Sequence, residues 1–152
     1  MNARAAQPLF VDTSAWYAIF DEDDAAHERA WEVFDAIRDE RLAYRPLYTT
    51  SHVVGELATL LLARADHGTA TRALAQVRDS GNVYIIHSDP VSMRDAIDEF
   101  ARYDDQLISL VDHLTVVLAN ERDADHVFTF DTDFRTLGCT VVPDDVHIPE
   151  GD

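Results

Sequence analysis

Four acidic residues lie in or next to the most apolar segments of the chain, where a surface-charge role fits poorly. They are Asp12, Glu56, Asp112 and Asp131. A carboxylate is costly to bury without a group of opposite charge, and no Lys or Arg lies within these apolar runs. A bound cation is the economical partner. Because the ligands would all be oxygen atoms, they would select a hard ion such as Mg²⁺ or Mn²⁺.

Each of these acids also has a simpler structural explanation. Asp12 could cap a following helix, although the hydroxyl residues after it could do so equally well. Asp112 comes three residues after Ser109, which is the spacing of a capping box, and its carboxylate would then only satisfy a backbone amide. Glu56 lies at helical spacing between apolar residues, so it shares the apolar face of its helix. We expect a ligand role for all three, since a cap and a ligand role are compatible at Asp112.

The last acidic site offers two candidates, Asp131 and Asp133, separated by a single residue. Either could be an acid at the start of a helix, where the helix dipole favours negative charge. We place Asp131 in the predicted site and keep Asp133 as the alternative.

The elements that must position these acids alternate between short apolar strands and helices. Strands are predicted at residues 9–12, 44–49, 83–86, 126–130 and 140–142, and helices at 15–20, 26–37, 51–65, 69–79, 90–103, 109–122 and 131–137. Such alternation predicts a three-layer α/β/α sandwich with a short, mainly parallel central sheet. Asp12 and Asp131 fall at carboxyl ends of strands, where such folds bind ligands. Glu56 and Asp112 would approach from the covering helices.

Length and composition predict one domain over residues 1–152, with its core at about 9–143 and short polar tails. The chain has 152 residues, of which 47% are hydrophobic, enough for one sizeable core. Its single cysteine, Cys139, excludes an intrachain disulfide and any zinc-ligand spacing. No apolar run is long enough to span a membrane, and the first residues lack the apolar core of a signal peptide. We therefore expect a cytoplasmic protein.

The charge balance is strongly acidic, with 29 acidic and 12 basic residues and a formal net charge of −17. All the basic residues are arginine. Such a balance normally argues against nucleic-acid binding, but in molar salt the Debye length is only about 3 Å and long-range repulsion collapses. An acidic chain without lysine is typical of organisms that keep salt inside the cell. We predict a halophilic protein, the alternative being an ordinary acidic one.

Several strings, in order along the chain, carry a family resemblance. They are FVDTSA at residues 10–15, Glu56, SLVD at 109–112 and FTFDTDF at 128–134. Together they resemble the PIN domain, and in particular the VapC-like toxins of toxin–antitoxin pairs, over residues 9–143. The resemblance implies a PIN-like fold in which Asp12 and Asp112 are the main metal ligands. Glu56 and Asp131 would complete the acidic pocket directly or through water, and Ser14 would be a supporting hydroxyl.

The same resemblance implies a Mg²⁺- or Mn²⁺-dependent endoribonuclease, a small antitoxin partner and a homodimer. A divalent ion would offset the repulsion between the carboxylates and an RNA phosphodiester, and hydrolysis would leave 5′-phosphate and 3′-hydroxyl ends. Four arginines could each contact phosphate, or be solvated or ion-paired: Arg29, Arg45, Arg102 and Arg135. Two alternatives stay open, namely an RNA-processing or decay PIN nuclease without an antitoxin and a catalytically silent PIN-like binding module.

Overall fold

The computed structural model describes residues 5–151, which contain one five-stranded sheet. The strands are β1 (Gln7–Val11), β2 (Tyr44–Thr50), β3 (Val83–Ile86), β4 (His126–Phe128) and β5 (Thr140–Val142). All neighbouring strands pair in parallel, in the order β3-β2-β1-β4-β5. The predicted parallel sheet is therefore confirmed.

Helices cover both faces of this sheet. They are α1 (Thr13–Phe20), α2 (His27–Arg38), α3 (Ser51–Arg64), α4 (His67–Asp79), α5 (Pro90–Arg102), α6 (Leu110–Asn120) and α7 (Asp133–Thr136). Successive strand residues point to opposite faces, so Leu9 and Val11 join a core with residues of α1 to α4. Phe10 joins a second core with residues of α5 to α7. Since Leu9, Phe10 and Val11 of β1 are fully buried although they point to both faces of the sheet, the prediction of three layers is confirmed.

The centre of the sheet is its topological switch point. From β1 the chain moves outward through β2 to β3, then crosses back to β4 on the other side of β1. In open parallel sheets, ligands bind outside the carboxyl ends of the strands at such a point. Val11 is paired with Phe128, so Asp12 and Thr129 are the first residues beyond these two strands. The backbone N–H of Asp12 donates to the carbonyl of Phe128 at 3.0 Å.

The chain after β4 departs from the sequence prediction. The predicted strand at 126–130 ends at Phe128, and the predicted helix at 131–137 is the single turn of α7. After Thr129, the backbone N–H groups of Phe130 and Asp131 donate to the hydroxyls of Ser14 and Thr129 instead of to a neighbouring strand. These hydrogen bonds to side chains end the strand early and bring the acidic segment, residues 131–133, toward β1.

Within residues 5–151, no helix has the length and apolar character needed to span a membrane.

Candidate active site

Asp12 lies directly after β1, and its carboxylate is buried, with 3% of the residue exposed. Its Oδ2 accepts hydrogen bonds from the hydroxyls of Thr129 at 2.9 Å and Ser14 at 3.3 Å. Its Oδ1 is buried and has no hydrogen-bond partner among the described residues. Burial raises the pKa of Asp12 to about 6, although the bond from Thr129 opposes this rise. One oxygen of this carboxylate is thus fixed in place, and the other is available to a cation.

Thr129 is a site residue that the sequence analysis did not identify. Its hydroxyl donates to Asp12 and accepts the backbone N–H of Asp131 at 3.0 Å. Ser14 lies 3.0 Å from the same hydroxyl and accepts the backbone N–H of Phe130 at 2.9 Å. Ser14 therefore lies beside the first acid, where a supporting hydroxyl was expected. The only signal for Thr129 in the sequence is a hydroxyl residue that directly follows an apolar strand.

Asp112 lies in the first turn of α6, with 8% of the residue exposed. The Ser109 hydroxyl accepts the backbone N–H of Asp112 at 3.1 Å, which is the Ser109 half of the predicted capping box. Burial raises the pKa of Asp112 to about 8, and the negative charges of Asp12, Asp131 and Glu56 add to the effect. Without a cation, the carboxyl of Asp112 therefore holds a proton at neutral pH.

The remaining acids approach from α3 and from the segment before α7. Glu56 is partly buried on α3, whose N-cap Thr50 accepts the backbone N–H of Val53 at 3.0 Å. One carboxylate oxygen from each of three acids, Asp112, Asp131 and Asp133, lies within 4.8 Å of the others.

The two candidates for the fourth acid are directly linked. Asp131 accepts the backbone N–H of Asp133 at 2.9 Å. Partial burial and the nearby Asp131 raise the pKa of Asp133. Asp131 and Asp133 therefore both lie in the carboxylate cluster, and the geometry excludes neither of them as the fourth acid.

One cavity of about 420 Å³ contains all six predicted site residues. Its lining also includes the capping residue Ser109 and residues that the sequence analysis did not single out, namely Thr13, Tyr17, Asp24, Leu60, Arg64, Leu107 and Phe130. A larger cavity of about 1210 Å³ lies at the amino-terminal edge of the sheet, where Trp16, Trp31 and Tyr44 contribute to its lining. None of the clustered acids lines that cavity. The predicted site residues therefore share the smaller cavity and do not line the larger one.

The arginines considered for phosphate binding lie elsewhere. Arg29, Arg102 and Arg135 form ion pairs with Asp144, Glu99 and Asp145, respectively. Arg45 is exposed near the start of β2, at the opposite edge of the sheet. None of these four lines the acidic cavity, whereas Arg64 does. Three of the four arginines are therefore ion-paired, which was one of the alternatives to phosphate binding.

A fold with this switch point and this acidic cluster defines a known class of protein. The PIN domain model matches residues 9–138, and the chain belongs to the PIN domain family.

Among its relatives, the chain is 31% identical over 132 residues to the 23S rRNA-specific endonuclease VapC20 of Mycobacterium tuberculosis. That alignment covers 86% of this chain and 94% of the relative. The crystal structure of M. tuberculosis VapC20, described as a sarcin–ricin loop cleaving toxin, matches with a TM-score of 0.79 at 29% identity. It covers 91% of this chain and 98% of that one. Sequence and structure thus relate this chain to the same protein.

Two more distant structures share the fold alone. VapBC2 of Rickettsia felis, bound to a DNA fragment from its promoter, matches with a TM-score of 0.65 at 12% identity, covering 89% of this chain and 97% of that one. FitAcB of Neisseria gonorrhoeae matches with a TM-score of 0.60 at 16% identity, covering 88% and 95%.

Proposed function

We propose that this protein is a metal-dependent endoribonuclease and the toxin of a toxin–antitoxin pair. The observation that carries the proposal is the convergence of Asp12, Glu56, Asp112 and Asp131 on one cavity at the switch point of a PIN fold. The similarity to a ribosomal RNA endonuclease indicates the reaction that we propose for this cluster. The whole chain would act as one domain in the cytoplasm, where ribosomal RNA is available.

The donor set fits a hard divalent cation, Mg²⁺ or Mn²⁺. Asp12 offers a buried oxygen without a hydrogen-bond partner. Asp112 is buried beside three other acids, and their charges disfavour its ionised form. A cation at this point would give the buried Asp12 oxygen a partner and would stabilise the ionised form of Asp112, because it would supply the missing positive charge. Asp12 and Asp112 would be the main ligands, with Glu56 and Asp131 completing the set.

When bound, the ion supplies positive charge at the phosphoryl oxygens and lowers the pKa of the attacking water. The protein's own residues prepare the site for it. Thr129 and Ser14 fix the Asp12 carboxylate in one orientation, and the Ser109 cap fixes the first turn of α6 and thereby Asp112. Asp131 is oriented by the bond from its backbone N–H to Thr129. Hydrolysis would leave 5′-phosphate and 3′-hydroxyl ends.

The substrate proposed here is the sarcin–ricin loop of 23S rRNA, because the relative at 31% identity is specific for 23S rRNA and cleaves that loop. The test is incubation of the purified protein in molar KCl and Mg²⁺ with an RNA hairpin that copies the loop. We expect one cut with a 5′-phosphate end, and no cut with EDTA or with Asp112→Asn. Cleavage that persists in EDTA, or in Asp112→Asn, would contradict the proposed mechanism.

The proposed partner is a small antitoxin, and the toxin itself is proposed to be a homodimer. An arginine or lysine of the antitoxin placed among the four carboxylates would replace the cation's charge and block RNA at once. Co-purification from the native host should recover a small protein that suppresses cleavage and that excess Mg²⁺ displaces only weakly. Recovery of active enzyme alone, harmless when expressed in its folded form, would favour an RNA-processing nuclease without an antitoxin.

A further inference from the structure

Arg64 occupies one end of the acidic cavity. It is the last residue of α3, and with Glu56 and Leu60 it follows a four-residue spacing that places all three on one face of the helix. All three line the cavity. A helix rises 1.5 Å per residue, so Arg64 lies roughly 12 Å along α3 from Glu56. The backbone of Arg64 is therefore about two turns from that of Glu56, and both residues line the same groove.

The guanidinium of Arg64 is held by an aromatic ring. Its central carbon lies 5.3 Å from the centroid of the Tyr17 ring, a distance at which a cation is attracted to the ring face. Tyr17 is itself fixed, since it is buried in α1 and its hydroxyl donates to Asp21. A guanidinium over an aromatic ring still presents N–H groups at its edge.

Arg64 also differs from most arginines of this chain in its lack of an acidic partner. Within residues 5–151, seven arginines form ion pairs with acidic side chains: Arg29, Arg38, Arg41, Arg78, Arg102, Arg122 and Arg135. Arg64 forms no ion pair with an acidic side chain in that part of the chain, although Asp21 and Asp24 are near, and its contact there is with Tyr17. It is also the only basic residue in the described lining of the acidic cavity.

We propose that Arg64 binds an RNA phosphate next to the scissile one and so sets the position of the strand in the groove. This inference rests on the proposed ribonuclease function. Guanidinium N–H groups form charge-assisted, often bidentate bonds with phosphate oxygens. The carboxylate cluster would hold the scissile phosphate through its cation, and Arg64 lines the same cavity about two turns further along α3. Binding at a neighbouring phosphate holds substrate without entering the reaction.

The kinetic test compares Arg64→Ala with Arg64→Lys and with Arg94→Ala as a matched control. Arg94 is an exposed arginine of α5 that does not line the cavity, so its loss changes the net charge equally. On the sarcin–ricin hairpin with Mg²⁺, Arg64→Ala should raise KM by about tenfold and leave kcat within about twofold. Arg64→Lys should raise KM less than Arg64→Ala does, since lysine keeps the positive charge but not the planar guanidinium. Arg94→Ala should match the wild type.

The second readout is binding in the absence of cleavage. In an Asp112→Asn background, the anisotropy of the labelled hairpin gives the dissociation constant as a function of KCl concentration. Removing Arg64 should weaken binding and reduce the slope of log K against log salt by about 0.7, the value for one phosphate contact on a single strand. Melting temperatures equal to that of the wild type would show that the folded state is retained.

Three outcomes would overturn the inference. An unchanged KM and salt slope in Arg64→Ala, or a loss in kcat alone, would remove Arg64 from substrate binding. Normal RNA kinetics with weaker inhibition by the co-purified protein would assign Arg64 to the antitoxin instead. A wild-type protein that neither binds nor cleaves RNA would refute the proposed function itself, a failure distinct from an effect confined to Arg64.

Discussion

Asp12 and Asp112 are both buried but differ in the contacts made by their carboxylates. Asp12 receives two hydroxyl hydrogen bonds, which stabilise its charged form, and its pKa rises only to about 6. At Asp112, burial and the charges of three neighbouring acids raise the pKa to about 8, and the opposing effect of Ser109 is the smallest of these. Hydrogen bonding to the ionised form therefore accounts for part of the difference between two neighbouring acids.

The raised pKa of Asp112 predicts how stability depends on pH in the metal-free protein. The folded state keeps the Asp112 proton up to about pH 8, whereas the unfolded chain loses it near pH 4. Since the folded state binds more protons between these values, the free energy of unfolding should fall as pH rises from about 4 to 8. Asp112→Asn should therefore be more stable than the wild type by about 2 kcal/mol or more at pH 8, while losing cleavage activity.

Urea denaturation at several pH values, in EDTA and constant molar salt, measures this difference. The control is Asp98→Asn, which removes an exposed carboxylate from α5. If the stability difference between Asp112→Asn and the wild type stayed constant from pH 4 to pH 8, the folded state would not raise the pKa of Asp112.

Thr129→Val tests the residue that orients Asp12. The substitution keeps the shape of the side chain but removes the donor to Asp12 and the acceptor for the backbone N–H of Asp131. We expect a loss of about 1–3 kcal/mol in stability because buried polar groups lose partners, and about tenfold weaker Mn²⁺ binding. Thr59→Val is the control, because Thr59 is exposed on α3 and bonds only the carbonyl of Gly55. Equal behaviour of the two variants would contradict the role of Thr129.

At the scale of elements, α6 is positioned by its cap. Ser109→Ala should cost about 1 kcal/mol in stability and reduce cleavage by about tenfold, because Asp112 lies in the turn that the cap fixes. Asp66→Ala is the matched control, since Asp66 caps α4 in the same way and α4 contributes no residue to the acidic cavity. Its stability should fall by a similar amount at unchanged activity. A loss of activity as large in the control would mean that general destabilisation is responsible.

The periodicity of the sequence was sufficient to predict β1 and α6, because both are apolar runs with a clear stop or cap. It also placed Asp12 at the carboxyl end of β1 and Asp112 in the first turn of α6. The end of β4 was predicted too late, since the bonds from Phe130 and Asp131 depend on hydroxyls brought together by strand pairing. Arg64 was missed for a related reason. Its contact with Tyr17 exists only after α1 and α3 are packed side by side.

At the scale of the whole molecule, the net charge of −17 should make stability depend on salt. Carboxylates crowded on a small domain repel one another at low ionic strength, and near 1 M salt this repulsion is screened within about 3 Å. The melting temperature should therefore rise by about 6 °C between 0.1 M and 2 M KCl, equivalent to about 2 kcal/mol. A melting temperature that is flat over this range would leave the absence of lysine without a physical explanation.

Mn²⁺ titration calorimetry at pH 7 in molar KCl measures whether the clustered carboxylates form a site for a divalent cation. Experiments in two buffers with different ionisation enthalpies also give the number of protons released. The wild type should bind Mn²⁺ and release about one proton per ion, because Asp112, with a pKa of about 8, must ionise to become a ligand. Asp112→Asn should bind about tenfold or more weakly and without this release. Failure of the wild type to bind Mn²⁺, or equal binding by Asp112→Asn, would mean that these carboxylates do not form the proposed metal site.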